Sequence, residues 1–324
     1  MNGWTFPPRR SSADLAQQRA TLVPQRKKLV KNQHVVSRAV LKNFSFKDAN
    51  GGDTLIPYNV RTKRELRPLG IGGCGKILHF IRYASQSLED LWKSSVEDHL
   101  HQVSASIQDR SILGKPDLVT VVKDCIALHL VRSLRYLEVH SASIDQAQRA
   151  LGPDLIGRFK QPLSRLFLAK YGLYPAGDEA LECVVDEFFA EWRRVNSDGL
   201  MERQDVEQAF ERIRGGFTPL QINVMYAPAG SEFLISDSPA FTYLFDATGE
   251  RFTKIRSAVG DSNGVGMPIA RDCFVTTAPD LGMGEVPAKF VDYLNMVQME
   301  IAYEHVYYRQ GSPLASFVSS AAAP

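Results

Sequence analysis

The change of period at Gly215-Gly216 constrains this chain more than any other feature of its sequence. Before that point apolar side chains return every three or four residues. From Ser85 onward they are Leu88, Leu91, Trp92, Val96, Leu100, Val103 and Ile107, the spacing of one helix face. Pro116 opens a second helix through Val119, Val122, Ile126, Leu130, Leu134 and Leu137. Further helices are expected over Ile144 to Lys170, broken at Pro153 and Pro162, over Asp178 to Val195, and over Met201 to Ile213, where the two glycines should stop the last one. After the glycines the apolar residues come in short runs separated by turn residues. Leu220 to Tyr226, Glu232 to Ile235, Arg251 to Ile255 and Met267 to Thr277 read as strands, before Pro287 begins a final helix. Ahead of the helical stretch, Thr54 to Val60 reads as a strand after the Gly51-Gly52-Asp53 turn, and Arg61 to Gly75 as a hairpin return with a glycine-rich loop. A helical centre flanked by β-rich ends argues for an α+β protein.

The 324 residues suffice for a full core, and 44% hydrophobic with 23% charged residues is ordinary for a folded protein. Disorder, collagen-like repeats and a disulfide scaffold are therefore disfavoured. The four cysteines, Cys74, Cys125, Cys183 and Cys273, lie far apart and form no CxxC pair, which argues against metal knuckles and redox motifs and for a reducing compartment. No apolar run approaches the ~20 residues of a membrane helix, and Met1 to Arg10 lacks the apolar stretch of a signal peptide. A cytoplasmic location is expected.

Charge divides the chain. Residues 1–43 carry nine Lys/Arg against Asp14 alone, a net +8, whereas the remainder carries −6. The expected organisation is a basic N-terminal arm over residues 1–31, one α+β domain over 32–310, and a frayed tail over 311–324. The arm has two readings: it reaches for nucleic acid or another polyanion, or it docks on its own acidic domain. Aromatic residues do not interleave its charges as stacking platforms would.

Three segments carry a family resemblance. The first is NQHVVSRAVLKNFS, Asn32 to Ser45, followed by the hairpin TLIPYNVRTKRELRP. The second is IALHLVRS, Ile126 to Ser133, and the third is FLISDSPAF, Phe233 to Phe241, with MPIARDCFV downstream. In order and spacing these resemble a bacterial family, the domain-of-unknown-function family 4238, over roughly residues 32–310. That family usually has a proline three residues after the histidine of its first motif, where this chain has Ser37. The resemblance implies a fold and a shared set of polar residues, and no established activity.

Those polar residues are the site candidates. His34 can serve as general base, metal ligand or packed structural group, and Gln33 beside it can orient a water or cap a helix. Asp237, at the end of an apolar strand, suits a base or metal ligand, although Ser236-Asp237-Ser238-Pro239 is also good turn chemistry. Arg132 forms a polar stripe with His129 and Tyr136 on an otherwise apolar helix. Burying it is expensive unless it is paired, and Asp237 or a ligand phosphate could pair it. Other groups carry less. His99 and His101 point to different sides of a helix, and Glu97 and Asp98 are expected to be solvated. The glycine-rich stretches at Gly70–Gly75 and Gly260–Gly266 match no phosphate-binding fingerprint. HExxH, GxSxG and Cys/His metal clusters do not occur, so the cofactor is left unknown, and a divalent metal stays open without a ligand motif to support it.

Two readings stay open. One is a hydrolase acting on phosphodiesters or another anionic substrate, with His34 as base or ligand, Asp237 as its partner and Arg132 holding the anion. The other is a non-catalytic module in which the same residues form a buried polar network. A defence or stress role fits either.

Overall fold

A computed structural model describes residues 32–78, 80, 86–197, 200–245, 252–255 and 264–321. The fold is α+β, and its elements follow the change of period in the sequence.

The first motif is a ribbon followed by a short helix, where its apolar spacing suits a short helix or a packed turn. Strand β1 (Asn32–His34) pairs antiparallel with β6 (Lys76–Leu78), His34 opposite Lys76, and α1 (Arg38–Lys42) follows. Val35, Val36, Val40, Leu41 and Phe44 are all buried. Between them lie β2 (Phe46–Lys47), β3 (Asp53–Asn59), β4 (Arg64–Glu65) and β5 (Leu69–Gly70), then a 3₁₀ turn at Ile71–Gly73.

The helix expected from Ser85 to Ile107 is two helices. α2 (Gln86–Ser95) ends at Val96, whose φ of −129° and ψ of −62° leave the helical region. A 3₁₀ turn at Glu97–His99 then leads into α3 (Leu100–Gln108). α4 (Pro116–Val131) begins at proline, whose missing N–H costs nothing in the first turn. It is buried almost all round and packs against α7 (Leu200–Phe217) and three strands of the main sheet. It stops at Arg132 and does not run on through Leu137. Ser133 then caps α5 (Leu134–Tyr171), its hydroxyl accepting from the Tyr136 N–H. Pro153 and Pro162 do not end α5 as expected. The helix bends at Phe159, three residues before Pro162, where the ring conflicts with the preceding turn, and it closes at Gly172 with φ +70°. α6 (Asp178–Ser197) runs back along it. Gly215-Gly216 does not stop α7. Two helical glycines cost ~2 kcal/mol, and the helix continues to bury Phe217 beside Phe210 and Ile213.

The main sheet has the order β10 (Phe252–Ile255), β9 (Phe241–Phe245), β11 (Gly264–Ala270), β12 (Cys273–Ala278), β7 (Gln221–Tyr226), β13 (Gly282–Glu285). All its pairings are antiparallel except β13 on β7. The single run read from Met267 to Thr277 is thus the β11–β12 hairpin. The second sheet has the order β2, β3, β14 (His305–Tyr308), β8 (Ile235–Ser236), with β4 and β5 also on β3. α8 (Ala288–Ile301) packs on β8. The tail after Gly311 does not fray as expected. α9 (Leu314–Ala321) buries Leu314 and Val318 against Tyr58, Leu234 and Val306.

The first motif packs against the strands that follow Gly216. Asn43 Nδ2 donates to the Ile269 carbonyl at 2.9 Å, and Val35 to Phe44 share a core with Val265, Met267 and Ile269. No helix among the described residues is long and apolar enough to cross a membrane.

Candidate functional site

Two buried polar networks stand on either side of a cavity, and the sequence candidates are divided between them.

The first network gathers on Ser37, the position where the family resemblance leads one to expect proline. Its N–H donates to His129 Nε2 at 3.0 Å and its hydroxyl to Glu97 Oε1 at 2.7 Å. Proline could make neither bond. The same Glu97 oxygen accepts from Arg132 Nη1 at 3.0 Å, and the Arg132 guanidinium lies 4.9 Å from the centre of the Trp92 ring. The break at Val96 is what turns Glu97 inward. Glu97 is therefore a bridging group and not the solvated residue expected. Burial raises its carboxyl, but Arg132 and Ser37 outweigh that and hold it below the usual range. Arg132 is buried and its carboxylate is Glu97, not Asp237.

His129 is fully buried. Nδ1 lies 2.8 Å from the Cys125 carbonyl, so the ring proton sits there and Nε2 is the acceptor for Ser37. Burial depresses this imidazole to about 4, with Arg132 acting in the same direction. A depressed histidine is neutral in the folded state while the unfolded chain takes up a proton below its ordinary value near 6.5. Stability is therefore complete above about pH 6.5 and falls as pH drops toward 4, by on the order of 3 kcal/mol. Urea unfolding across that range should record the decline, and His129→Gln, which keeps an acceptor for Ser37, should flatten it. An unchanged slope would separate acid sensitivity from His129.

His34 stands beside this network at the end of β1. Its ring donates to the Gly72 carbonyl, and Nε2 is buried with no hydrogen-bond partner. That assigns the proton to Nδ1 and leaves a lone pair on Nε2. Burial lowers its pKa, and the charges of Arg132, Arg38 and Lys76 lower it further. Gln33 next to it is 1% exposed.

The second network holds the FLISDSPAF segment. Asp237 Oδ1 accepts from the Tyr303 N–H at 2.7 Å, and Oδ2 accepts from the Glu304 and His305 N–H groups, each at 2.9 Å. Its own N–H donates to the His305 carbonyl at 2.9 Å. Asp237 thus pins the turn between α8 and β14. Burial raises its carboxyl while the three N–H donors oppose that rise. Ser236 donates twice to Gln298 Oε1, and Asn295 Oδ1 accepts from the Leu234 N–H. Sequence reasoning passed over Asn295 and Gln298. Their signal was present: two amides three residues apart on the face that also carries Leu294 and Val297.

Between the networks lies a cavity of about 540 Å³. Val35, Pro57, Leu66, Leu69, Ile77 and Leu134 supply its apolar wall. Lys76, Asp237, Tyr307 and the Tyr303–His305 turn supply its polar side. Tyr307, buried, accepts the Gly75 N–H at 2.9 Å and so joins β14 to the glycine-rich loop. That loop is a wall of the cavity and not an open phosphate cradle. Among the described residues, no group of three His, Cys, Asp or Glu side chains is placed to hold a metal ion.

An α+β protein whose first motif is locked to a central helix beside a cavity is the class that fold and site define. Its family matches over residues 32–312, and is described as Protein of unknown function (DUF4238). The match covers most of the chain, so the chain belongs to that family. Comparison with curated proteins and with solved structures gave no match to either.

Proposed function

We propose that this protein is a non-catalytic binding module whose ligand site is the cavity between the two networks. The observation that carries this reading is how the polar candidates are spent. Both oxygens of Asp237 are taken by three backbone N–H groups, and Arg132 is already matched to Glu97. A general base needs a lone pair facing substrate, and an anion clamp needs a cation that is not already neutralised. The cavity's apolar wall and the amine of Lys76 at its edge fit a small molecule with an apolar body and an anionic end.

Anilinonaphthalene sulfonate has that shape and reports its own binding by fluorescence. Saturable one-to-one binding is expected, weakened about tenfold by Ile77→Trp, which fills the cavity, and several-fold by Lys76→Glu. Unchanged binding in both variants, with unchanged melting, would move the ligand elsewhere.

The hydrolase reading keeps one observation in its favour, the unspent Nε2 of His34. Bis(p-nitrophenyl) phosphate tests it directly. Turnover that disappears in His34→Ala without a fall in melting temperature would replace the binding-module reading.

The basic arm, residues 1–31, lies outside the described residues. Nucleic-acid contact through it is proposed as a separate, electrostatic function. Affinity for a duplex should fall by orders of magnitude between ~50 and ~200 mM salt, and removing residues 1–31 should abolish it. Affinity that survives both treatments would exclude the arm as anchor. The cytoplasm is the compartment proposed, since the four unpaired thiols suit a reducing setting.

A further inference from the structure

We infer that the cavity's ligand is a small carboxylic acid with an apolar body, its carboxylate taken by the Tyr307 hydroxyl and the Lys76 amine. The inference rests on the cavity being the ligand site, as proposed above, and names what that site selects. Strand alternation aims Tyr307 inward. In β14 the flanking Val306 and Tyr308 pack with Leu314 and Val318 on one face of the second sheet. Tyr307 lies between them, opposite Pro57 of β3, and both residues line the cavity on the other face. Tyr307 is 4% exposed, and its phenol oxygen accepts the Gly75 N–H at 2.9 Å. A phenol is also a donor. Among the described residues nothing accepts its proton. A buried O–H without an acceptor is costly and calls for a partner. The open space that Tyr307 and Gly75 share is the cavity. Burial, with the carboxylates of Asp237 and Glu304, pushes the phenol up, so it keeps its proton and stays a donor.

The acidic and imidazole groups of the wall are already engaged. Three backbone N–H groups hold Asp237. Asn59 Nδ2 donates to Glu304 Oε1 at 3.1 Å and lies 3.5 Å from His305 Nε2, while His305 Nδ1 is 3.9 Å from Glu304 Oε2. Lys76 differs. It follows Gly75 directly, lines the same cavity, and forms no ion pair among the described residues. One hydroxyl and one ammonium match the two oxygens of a carboxylate in number and in charge. A phosphate or sulfonate brings at least one more oxygen, which would face the apolar wall or the carboxylates of Asp237 and Glu304. An alcohol or amide would satisfy the phenol and leave the ammonium without a counter-charge. Leu66, Ile77 and Leu134 then cover the ligand's apolar body.

Displacement of anilinonaphthalene sulfonate from the full chain tests this, with 5-phenylpentanoic acid, its amide, and 4-phenylbutylphosphonate as competitors. The acid should bind at least ~tenfold more tightly than the amide or the phosphonate. Tyr307→Phe and, separately, Lys76→Gln should each cut the acid's advantage over the amide about threefold or more. The comparison is internally controlled, because a general loss of packing weakens acid and amide alike. Should Tyr307→Phe not fold, Lys76→Gln at an exposed residue carries the same comparison. Three results overturn the carboxylate assignment while dye binding keeps the binding module standing: equal binding of acid and amide, tighter binding of the phosphonate, or an acid preference untouched by both substitutions. A wild type that binds neither dye nor acid overturns both readings. Tighter binding of an acetylated tripeptide ending in leucine would make the occupant a chain terminus and overturn the small-molecule assignment.

Discussion

Replacing Arg132 with Met is expected to lower stability by ~3–5 kcal/mol, and replacing Glu97 with Met by a similar amount, while the double replacement costs much less than the sum. The asymmetry follows from burial. The Arg132 side chain is 3% exposed and that of Glu97 29%, so either single change takes an ion-pair partner from a charge that is wholly or largely held out of water. Removing both leaves two flexible apolar side chains in a region already lined by Val96, Trp92 and Leu128. At roughly 2–4 °C or less per kcal/mol for a protein of this size, each single change should lower the melting midpoint by up to ~10–15 °C. Chemical denaturation of the four chains of the cycle measures the coupling. Additive losses would mean that the two residues act separately and that the break at Val96 serves some other purpose.

Asp237→Asn should destabilise by ~2–4 kcal/mol although it alters the side-chain shape very little. Three backbone N–H groups converge on the two carboxylate oxygens. An amide offers one oxygen and one NH₂, and the NH₂ must face at least one of those donors, which leaves a buried N–H unsatisfied. The loss should be read from denaturation midpoints. Hydrogen exchange of the Tyr303, Glu304 and His305 amides should speed up more than that of the main-sheet amides. A variant with wild-type midpoint and exchange would return Asp237 to the list of groups available for chemistry.

Much of the fold could be read from local pattern. The helical centre, the return to strands after residue 216, and the two segments holding His34 and Asp237 all follow from periodicity and turn residues. What could not be read depends on partners distant in sequence. Val96 is an unremarkable helix residue, and only the pull of Ser37 and Arg132 on Glu97 explains why the helix breaks there. Pro162 and Gly215-Gly216 are strong local stop signals that burial overrides, at the cost of a bend in one case and a modest helix penalty in the other. Strands β2, β4, β5 and β8 span only two residues each, too few for alternation to register. The apolar helix around Arg132 calls for a counter-charge, but that this is Glu97, and neither Asp237 nor a ligand phosphate, required the fold.

The order of the second sheet has a consequence for how the protein is made. β14 sits between β3 and β8, bonded to both, yet its His305 follows the facing Asn59 of β3 by 246 residues. Until it emerges, β3 presents an unpaired edge with Leu55, Ile56 and Tyr58 beside it, and the turn that Asp237 anchors does not exist. Tyr307, 232 residues from Gly75, closes the cavity wall in the same late step. The nascent chain therefore holds an exposed strand while those 246 residues are made. Any transcript or cleavage product lacking His305–Tyr308 keeps that edge for good. Such truncations should be found in aggregates or bound to chaperones, not as smaller working versions of the protein.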